Sequence, residues 1–443
     1  MKQQALCLIA ILSAASPLYA QEEKEWTLED CINYALEKNI QLQQNKISLQ
    51  ESEIDVKSAK ANLFPSLSFS TGHNMINRPY QEQSATVSGT EIITSDNKTT
   101  YNGNYSLNAQ WTLWNGGKRL NTIKQEKTNR DIAGLAVTET ENTLQEEIAK
   151  LFIQILYADE SININKNTLE VSTATFNRAQ ELFKEGSISK ADLAQLEAQV
   201  SNDKYQLVTA ESSLRNYKLQ LKQLLELDGT AEMKLALPTL NDEHVMEVLP
   251  SQTDIYQTAL ATQSSQLSIE NAKLGISVAK AGYYPTISLS ASSSSTTNSA
   301  STNNWAQQMK YGWNNMIGIS LSIPIFDNRQ NKSNVQKARL QYSNSQYELQ
   351  SKQKELYSTI ETLWLDALNA QEQYAAAESK VESSQTSFDM VSEQFNLGMK
   401  NTVELLTEKN NLLSAQQQRV QAKYMAILNR TLLNFYAGNK IEL

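Results

Sequence analysis

The sequence predicts a membrane protein of mixed α and β class, in which paired amphipathic strands alternate with very long helices and the whole plan is written twice. Three observations predict it. Tyr101 to Trp114 (YNGNYSLNAQWTLW) puts Tyr101, Tyr105, Leu107, Ala109, Trp111 and Leu113 on one parity and Asn, Ser, Gln and Thr on the other, which is a strand with one apolar and one polar face. At about thirteen residues the run exceeds the usual soluble strand and is long enough to cross a bilayer when tilted. After the turn Asn115-Gly116-Gly117, helical periodicity without proline persists to Phe183. A constant offset of 212 residues then carries Trp111 to Ile323, Phe152 to Trp364, Phe183 to Phe395, Gly186 to Gly398 and Leu193 to Leu405, the mark of a tandem duplication.

The chain has 443 residues, a length that the repeat explains better than several globular domains do. Met1 to Ala20 holds Lys2, an apolar run from Ala5 to Ala15 and the small-residue ending Pro17-Leu18-Tyr19-Ala20, so it reads as a secretory signal peptide cleaved before Gln21. No other segment approaches an eighteen-residue apolar run, and a membrane location must therefore rest on strands. Cys7 falls in the signal and Cys31 is left alone, so an intramolecular disulfide is not available. The formal charge of −9, or −10 once Lys2 is removed, argues against nucleic acid as a partner.

In chain order, Thr27 caps a helix with Asp30 three residues on, and that helix is expected to run to about Leu63. Lys60-Ala61-Asn62-Leu63-Phe64-Pro65 and Lys280-Ala281-Gly282-Tyr283-Tyr284-Pro285 end the corresponding helices of the two halves, each stopped by proline. Period two follows both: Leu67 and Phe69 against Ser66, Ser68 and Ser70, then Ile287, Leu289 and Ala291 against Ser288 and Ser290. The second strand of the second half is expected over Trp313 to Phe326, with Ile317, Ile319, Leu321, Ile323 and Ile325 on one parity. Gly72 to Thr100 and Ser292 to Gly312, rich in Ser, Thr and Asn, read as long polar loops on the outer side. Trp111, Trp114 and Trp313 stand at or beside strand ends, where a membrane aromatic belt forms. Asn97-Lys98-Thr99 fits a glycosylation sequon, which is idle in a bacterial setting.

The helices carry sevenfold spacing. Ile148, Ile155, Ile162, Leu169, Phe176 and Phe183 interleave with Val137, Leu144, Leu151 and Ala158, and the second half repeats this with Ile360, Ala367, Tyr374, Val381, Phe388 and Phe395. A sustained repeat of seven requires left-handed coiled packing. Each helix would be on the order of 100 Å long at 1.5 Å per residue. At Gly186 and Gly398 a partner helix returns, with Leu193, Val200, Leu207, Leu214 and Leu221 on the first and Leu406, Leu413, Val420 and Ile427 on the second. Leu237 to Pro250 reads as the link between halves.

Four strands cannot close a barrel, and an open edge in lipid leaves unpaired amides at a cost of several kcal/mol each. The chain is therefore expected to oligomerise. No Gly-rich phosphate loop or HExxH pattern occurs, His73 and His244 are isolated, and no catalytic or metal-ligating constellation emerges, so no enzyme activity and no cofactor is expected.

With the turn WNGGK at Trp114 to Lys118, the KAxxxP boundaries at Pro65 and Pro285, and FxxG hairpins at Phe183 and Phe395, the chain resembles the TolC-like outer-membrane efflux family over nearly all its mature length. The resemblance implies a homotrimer in which each chain gives four strands to a 12-stranded outer-membrane β-barrel, continuous with a periplasmic α-helical coiled-coil barrel. It implies an exit duct of a tripartite efflux or type I secretion system of a Gram-negative bacterium, surrounded by outer-membrane lipid. Its partners would be a periplasmic adaptor and an inner-membrane pump of RND, ABC or MFS type.

The expected segments are the signal at 1–20, an N-terminal helix at 21–65, a first β-hairpin at 66–114 and a first helical hairpin at 115–237. A linker at 238–250, a lead-in helix at 251–285, a second β-hairpin at 286–326 and a second helical hairpin with the C-terminal end at 327–443 complete the chain. By the family's pattern, matched through Gly398, Lys400 and Glu404 fall on the basic and first acidic positions of the periplasmic gate. Thr407 stands where a second acidic residue is usual. Phe183, Gly186, Ser187, Leu193, Phe395, Gly398, Met399 and Leu405 mark the tips where the adaptor would dock. An ungated diffusion porin would need its own closed set of strands, and a trimeric coiled-coil surface protein normally has one barrel segment at its C-terminus; both fit less well.

Overall fold

The computed structural model describes residues 25–80, 84–88, 91–95, 98–229, 233–236, 238, 261–299 and 301–442. The signal peptide, Asn97 of the sequon, most of the 238–250 linker and the 251–260 part of the lead-in helix lie outside the described residues. In chain order the elements are β1 (Glu25–Trp26), α1 (Leu28–Lys38), α2 (Ile40–Ala61), β2 (Ser66–Asn77), β3 (Ser84–Ser88), β4 (Glu91–Ser95), β5 (Thr99–Trp114), α3 (Lys118–Lys184) and α4 (Lys190–Leu224). Then come β6 (Lys234–Leu235), α5 (Ala261–Lys280), β7 (Thr286–Asn298), α6 (Trp305–Tyr311), β8 (Asn314–Ser322), α7 (Gln330–Asn396) and α8 (Thr402–Tyr436). The two long helices are 67 residues each and the two return helices 35 each. The chain divides into two units, Gln44–Glu139 with Leu260–Leu356, and Met1–Gln43 with Thr140–Ala259 and Tyr357–Leu443.

The first unit holds a four-stranded antiparallel sheet in the order β2-β5-β7-β8. Leu67 pairs with Ala109, Ala109 with Ala291 and Ala291 with Ile317; one row along, Trp111 pairs with Leu289 and Leu289 with Ile319. Directly paired residues share a face, so these rows make one apolar surface across all the strands. Nothing among the described residues covers it: Leu67, Phe69, Ile317 and Ile319 are all strongly exposed. The other face carries Ser68, Ser70, Ser106, Asn108, Ser290, Ser292 and Ser320, with the Ser70 and Ser106 hydroxyls 2.7 Å apart. None of the four strands contains Asp, Glu, Lys or Arg. At one strand end Trp111 Nε1 donates to the Leu63 carbonyl at 2.7 Å and Trp114 meets Tyr284 edge to face at 6.2 Å. Trp313, just before β8 and nearer the other end, donates from Nε1 to Asn315 Oδ1 at 2.9 Å.

Three boundaries differ from the sequence expectation. β8 ends at Ser322 instead of continuing to Phe326. Pro324 has no amide proton to give a ladder, and Asp327 already caps the next helix by accepting from the Asn331 amide at 2.8 Å. The expected polar loops carry regular structure in part: β2 and β7 extend to Asn77 and Asn298, β3 and β4 pair as a hairpin, and Asn304 caps α6 in a capping box with Gln307. Polar strand ends have no apolar period to betray them, and their pairing comes from neighbouring strands.

The N-terminal helix is the third difference. It breaks at Asn39, whose backbone leaves the helical region (φ −57, ψ 127). In the second unit the Asn39 side chain caps α2 by accepting from the Leu42 amide at 3.1 Å and donates to the Leu224 carbonyl at the end of α4, also at 3.1 Å. Beside it Glu226, at φ 55, accepts from the Ile40 amide at 3.2 Å. Asn39 is thus a local break that fixes a long-range contact. Loss of an N-cap side chain costs about 1 kcal/mol, and here it would also orphan a helix-end carbonyl. Asn39→Ala is therefore expected to lower the apparent unfolding temperature, with Asn39→Asp, which keeps the cap but not the donor, falling between; a variant melting with the wild type would contradict this role.

Candidate functional site

Both helical hairpins of the second unit turn by the same local chemistry. α3 ends with Gly186 at φ 74, its amide donating to the Phe183 carbonyl at 3.0 Å and the Ser187 amide to the Leu182 carbonyl at 2.8 Å. α7 ends with Gly398 at φ 74, with the Gly398 and Met399 amides donating to Phe395 and Gln394 at the same 3.0 and 2.8 Å. This is the left-handed helix terminus that glycine tolerates without a Cβ penalty. Each return helix then opens on a capping box, Ser189 with Asp192 for α4 and Asn401 with Glu404 for α8. The second copy repeats the first at the 212-residue offset, residue for residue in role.

Lys400 and Glu404 are brought together on one hairpin. Lys400 Nζ donates to Glu404 Oε1 at 2.5 Å, while the Asn401 amide donates to Glu404 Oε2 at 3.2 Å and the Glu404 amide to Asn401 Oδ1 at 2.9 Å. Both side chains stay partly in water, at 37% and 41% relative exposure, so the ion pair itself contributes little to holding the chain folded. The Glu404 carboxyl is held below its ordinary range, first by the Lys400 hydrogen bond and then by the Asn401 amide. Thr407 is exposed and its hydroxyl donates back to the Val403 carbonyl of its own helix at 2.8 Å.

Across the hairpins, the electrostatics of Asp192 involve Thr402. Asp192, the first-repeat counterpart of Glu404, is held low chiefly by the Ser189 hydroxyl, and a hydrogen bond from the buried Thr402 side chain adds to this. The offset that relates Ser189 to Asn401 was the available signal, because it puts an acid in the first turn of both return helices.

The expected docking residues separate into two groups. Phe183, Gly186, Ser187, Gly398 and Met399 are exposed and Leu193 is half-buried. Phe395 and Leu405, at 5% and 3% exposure, are instead buried with Ala179 and Leu196 in a core joining the two hairpins, against which Phe176, Leu193, Phe388 and Leu406 pack. Those two side chains offer no surface to a partner, although their repeat mates Phe183 and Leu193 are accessible. Two hairpins packed against each other cannot present the same face, so one copy of each pair must turn inward.

A second cluster the sequence reading missed lies along α8. Lys409, almost fully buried, donates to Asp203 Oδ2 and Ser172 Oγ; Ser172 donates to the same carboxylate, and Gln199 Nε2 donates to Asp203 Oδ1 at 2.8 Å. Burial pushes the Lys409 ammonium down and Asp203 opposes that shift. Asp203 lies three residues after Val200, and Lys409 three after Leu406, on the interleaved inward series where heptad spacing expects apolar side chains. Farther along, α8 meets α3 again through Tyr424 against Tyr157, with ring centres 6.4 Å apart, and Tyr436 Oη donating to Glu146 Oε2 at 3.3 Å. Burial pushes the Tyr436 hydroxyl up to about 12.

Among the described residues no cluster of His, Cys, Asp and Glu could hold a metal ion, and no helix is long and apolar enough to cross a membrane. The sequence pattern of the outer membrane efflux protein family matches residues 31–226 and again 255–439. The outer membrane protein TolC of Salmonella enteritidis is 24% identical over 348 residues, covering 76% of this chain and 69% of that protein. The outer membrane efflux protein BepC of Brucella suis biovar 1 is 22% identical over 97% of this chain and 89% of its own length. Among solved structures, CusC superposes with a TM-score of 0.79 at 18% identity, over 93% of this chain and 92% of that one. With its mixed helices and sheet and two family matches in one polypeptide, the chain belongs to the outer membrane efflux protein family and is an outer-membrane protein.

Proposed function

We propose that three copies of this chain form a closed exit duct: twelve strands make an outer-membrane barrel and the helices make the periplasmic channel that feeds it. The observation that carries this reading is the sheet, with one uncovered apolar face for lipid, one hydroxyl- and amide-lined face for water, and β2 and β8 each paired on one side only among the described residues. Lipid cannot satisfy those edges, and joining copies edge to edge does. Trp111 and Trp114 at one strand end and Trp313 toward the other then stand at the two borders of the apolar band, as an aromatic belt. The duplicated plan, supported by the twofold family match, accounts for the equal helix lengths.

In this account transport is passive and the driving energy comes from an inner-membrane pump through a periplasmic adaptor, for which the accessible Phe183, Gly186, Ser187, Gly398 and Met399 of the tips are the contact candidates. The duct closes at the tips, where Lys400 neutralises and positions Glu404. Thr407 leaves the second acidic level uncharged. The similarity to TolC and to the efflux protein BepC supports efflux or secretion of cargo to the outside.

The first test is single-channel conductance of the purified protein in a planar bilayer. A small wild-type conductance that rises in Lys400→Ala/Glu404→Ala is expected; a large conductance equal in both would leave a constitutively open pore without a gate at these residues. The acid dependence has a definite sign. Because the folded carboxyl of Glu404 is depressed, its contribution to closure is complete above the ordinary glutamate range and is lost as pH falls through the depressed folded value. Conductance is therefore expected to hold steady from neutral pH downward and rise only under strongly acid conditions, and a rise beginning near neutrality would assign closure to another group. On the sheet, Ile319→Arg is expected to cost about 2–4 kcal/mol of membrane folding if it faces mid-bilayer, whereas Ser320→Arg on the opposite face is tolerated; equal loss of folded outer-membrane protein in both would overturn the facing.

A further inference from the structure

At the strand ends away from the long helices, the apolar face of the sheet is hollowed. Where β2, β5 and β7 pair as His73, Gly103 and Thr297, the middle position has no side chain; a Cβ added there would stand 2.5 Å from the Thr297 hydroxyl and 3.3 Å from the His73 ring. The gap left by Gly103 is the floor of a cleft of about 420 Å³, and its walls are aromatic. Tyr105, in the next row on this face, meets the His73 ring nearly at right angles with centres 5.3 Å apart and meets Trp305 the same way at 6.3 Å. Trp305 Nε1 donates to the Tyr105 hydroxyl at 3.4 Å. Trp305 is carried by α6, which is tied down on β7: Ser295 Oγ donates to the Met309 carbonyl at 3.1 Å, and the Asn298 amide to Gln308 Oε1 at 2.7 Å. That wall is held in place before anything binds, which spares a ligand the cost of ordering it. Trp305 and Tyr101, which also lines the cleft, are nevertheless 59% exposed.

The lining holds no Asp, Glu, Lys or Arg, so it has no counter-charge for a phosphate or a carboxylate. It offers ring faces, whose negative π clouds attract C–H groups, beside the hydroxyls of Tyr105 and Thr297. A pyranose presents the complement, C–H groups on its faces and hydroxyls around its rim, and the volume lies within the range of small-molecule sites, about 300–1,000 Å³. The surroundings name the source of the sugar. On the same face Phe69 and Leu107 pair four residues nearer the helices, roughly 13 Å along the strands, so a molecule with its sugar in the cleft would lay its acyl chains on the apolar band. We propose that the cleft binds the uncharged sugar headgroup of an outer-leaflet glycolipid, stacked on Trp305 and hydrogen-bonded by Tyr105 and Thr297. This rests on the barrel reading for the placement of these strand ends at the outer leaflet. The cleft itself is built by one chain and is tested apart from that placement.

The full-length protein is placed in phosphatidylcholine nanodiscs doped equally with digalactosyldiacylglycerol and phosphatidylglycerol, and the lipid that stays with it after transfer to detergent is read by mass spectrometry. Wild type is expected to keep the galactolipid in preference to phosphatidylglycerol. Trp305→Ala is expected to lower that retention several-fold, with Trp305→Phe restoring most of it. Tyr311→Ala, which removes an exposed ring of the same helix outside the cleft, is expected to retain it like wild type. Retention indifferent to Trp305→Ala, or lowered equally by Tyr311→Ala, would overturn the site and leave only general adhesion to aromatic side chains. A preference for phosphatidylglycerol would overturn the sugar, and free lactose that displaces the galactolipid at equal concentration would overturn the lipid as its source. Placement is read separately by Lys310→Cys on α6, an exposed position, with a membrane-impermeant maleimide on intact cells; the native Cys31 is buried. Labelling from outside is expected. If Lys310→Cys stays unlabelled while retention still depends on Trp305, the barrel placement fails and the cleft stands; labelling without galactolipid retention removes the cleft and leaves the barrel reading intact.

Discussion

The structure depends on one unsatisfied demand, the hydrogen-bonding edges of a four-stranded sheet. Among the described residues, β2 and β8 carry backbone amides and carbonyls along one side without a partner, beside an apolar face that nothing covers. Water would satisfy the edges but not the face, and lipid would satisfy the face but not the edges. Closure with further copies answers both at once. The absence of any formal charge from the four strands fits that proposal, in which the apolar face would meet hydrocarbon and the polar face would offer hydroxyls and amides to a water-filled interior.

At the helical tips the same economy appears as local chemistry used twice. A glycine at φ 74 ends each long helix and a capping box starts each return helix, so the two turns are nearly interchangeable as backbone. Packing then makes them different. Phe395 and Leu405 go into the core between hairpins while Phe183 stays accessible, and Lys409 pairs with Asp203 where the 212-residue offset puts Glu197 and Ala415. The two turns share their backbone parts, and the differences between them decide which side chains are buried.

Strand parity from Tyr101 to Trp114, the long proline-free helices and the hairpin glycines were legible because each follows from a period or a residue with one conformational use. The far ends of β2 and β7 were not, because Gly72 to Asn77 and Ser293 to Asn298 show no apolar alternation and are held by their neighbours on β5. The break at Asn39 was hidden in an otherwise helical run, since the residue works through a carbonyl 185 positions away. Lys400 and Glu404 were singled out by position for a gate, which stays a proposal; the structure shows that one turn of helix and a capping box bring them into contact. Asp203 and Lys409 escaped because charges on a coiled helix normally face water, although their heptad register placed them inward.

The most direct test of the account is the mass of the protein extracted from outer membranes in mild detergent, measured by light scattering with the detergent contribution removed. Three chains per particle are expected, giving the twelve strands that would close the barrel. A particle of one or two chains, still folded and still conducting, would contradict it, because the open edges of β2 and β8 would then have been satisfied in some other way.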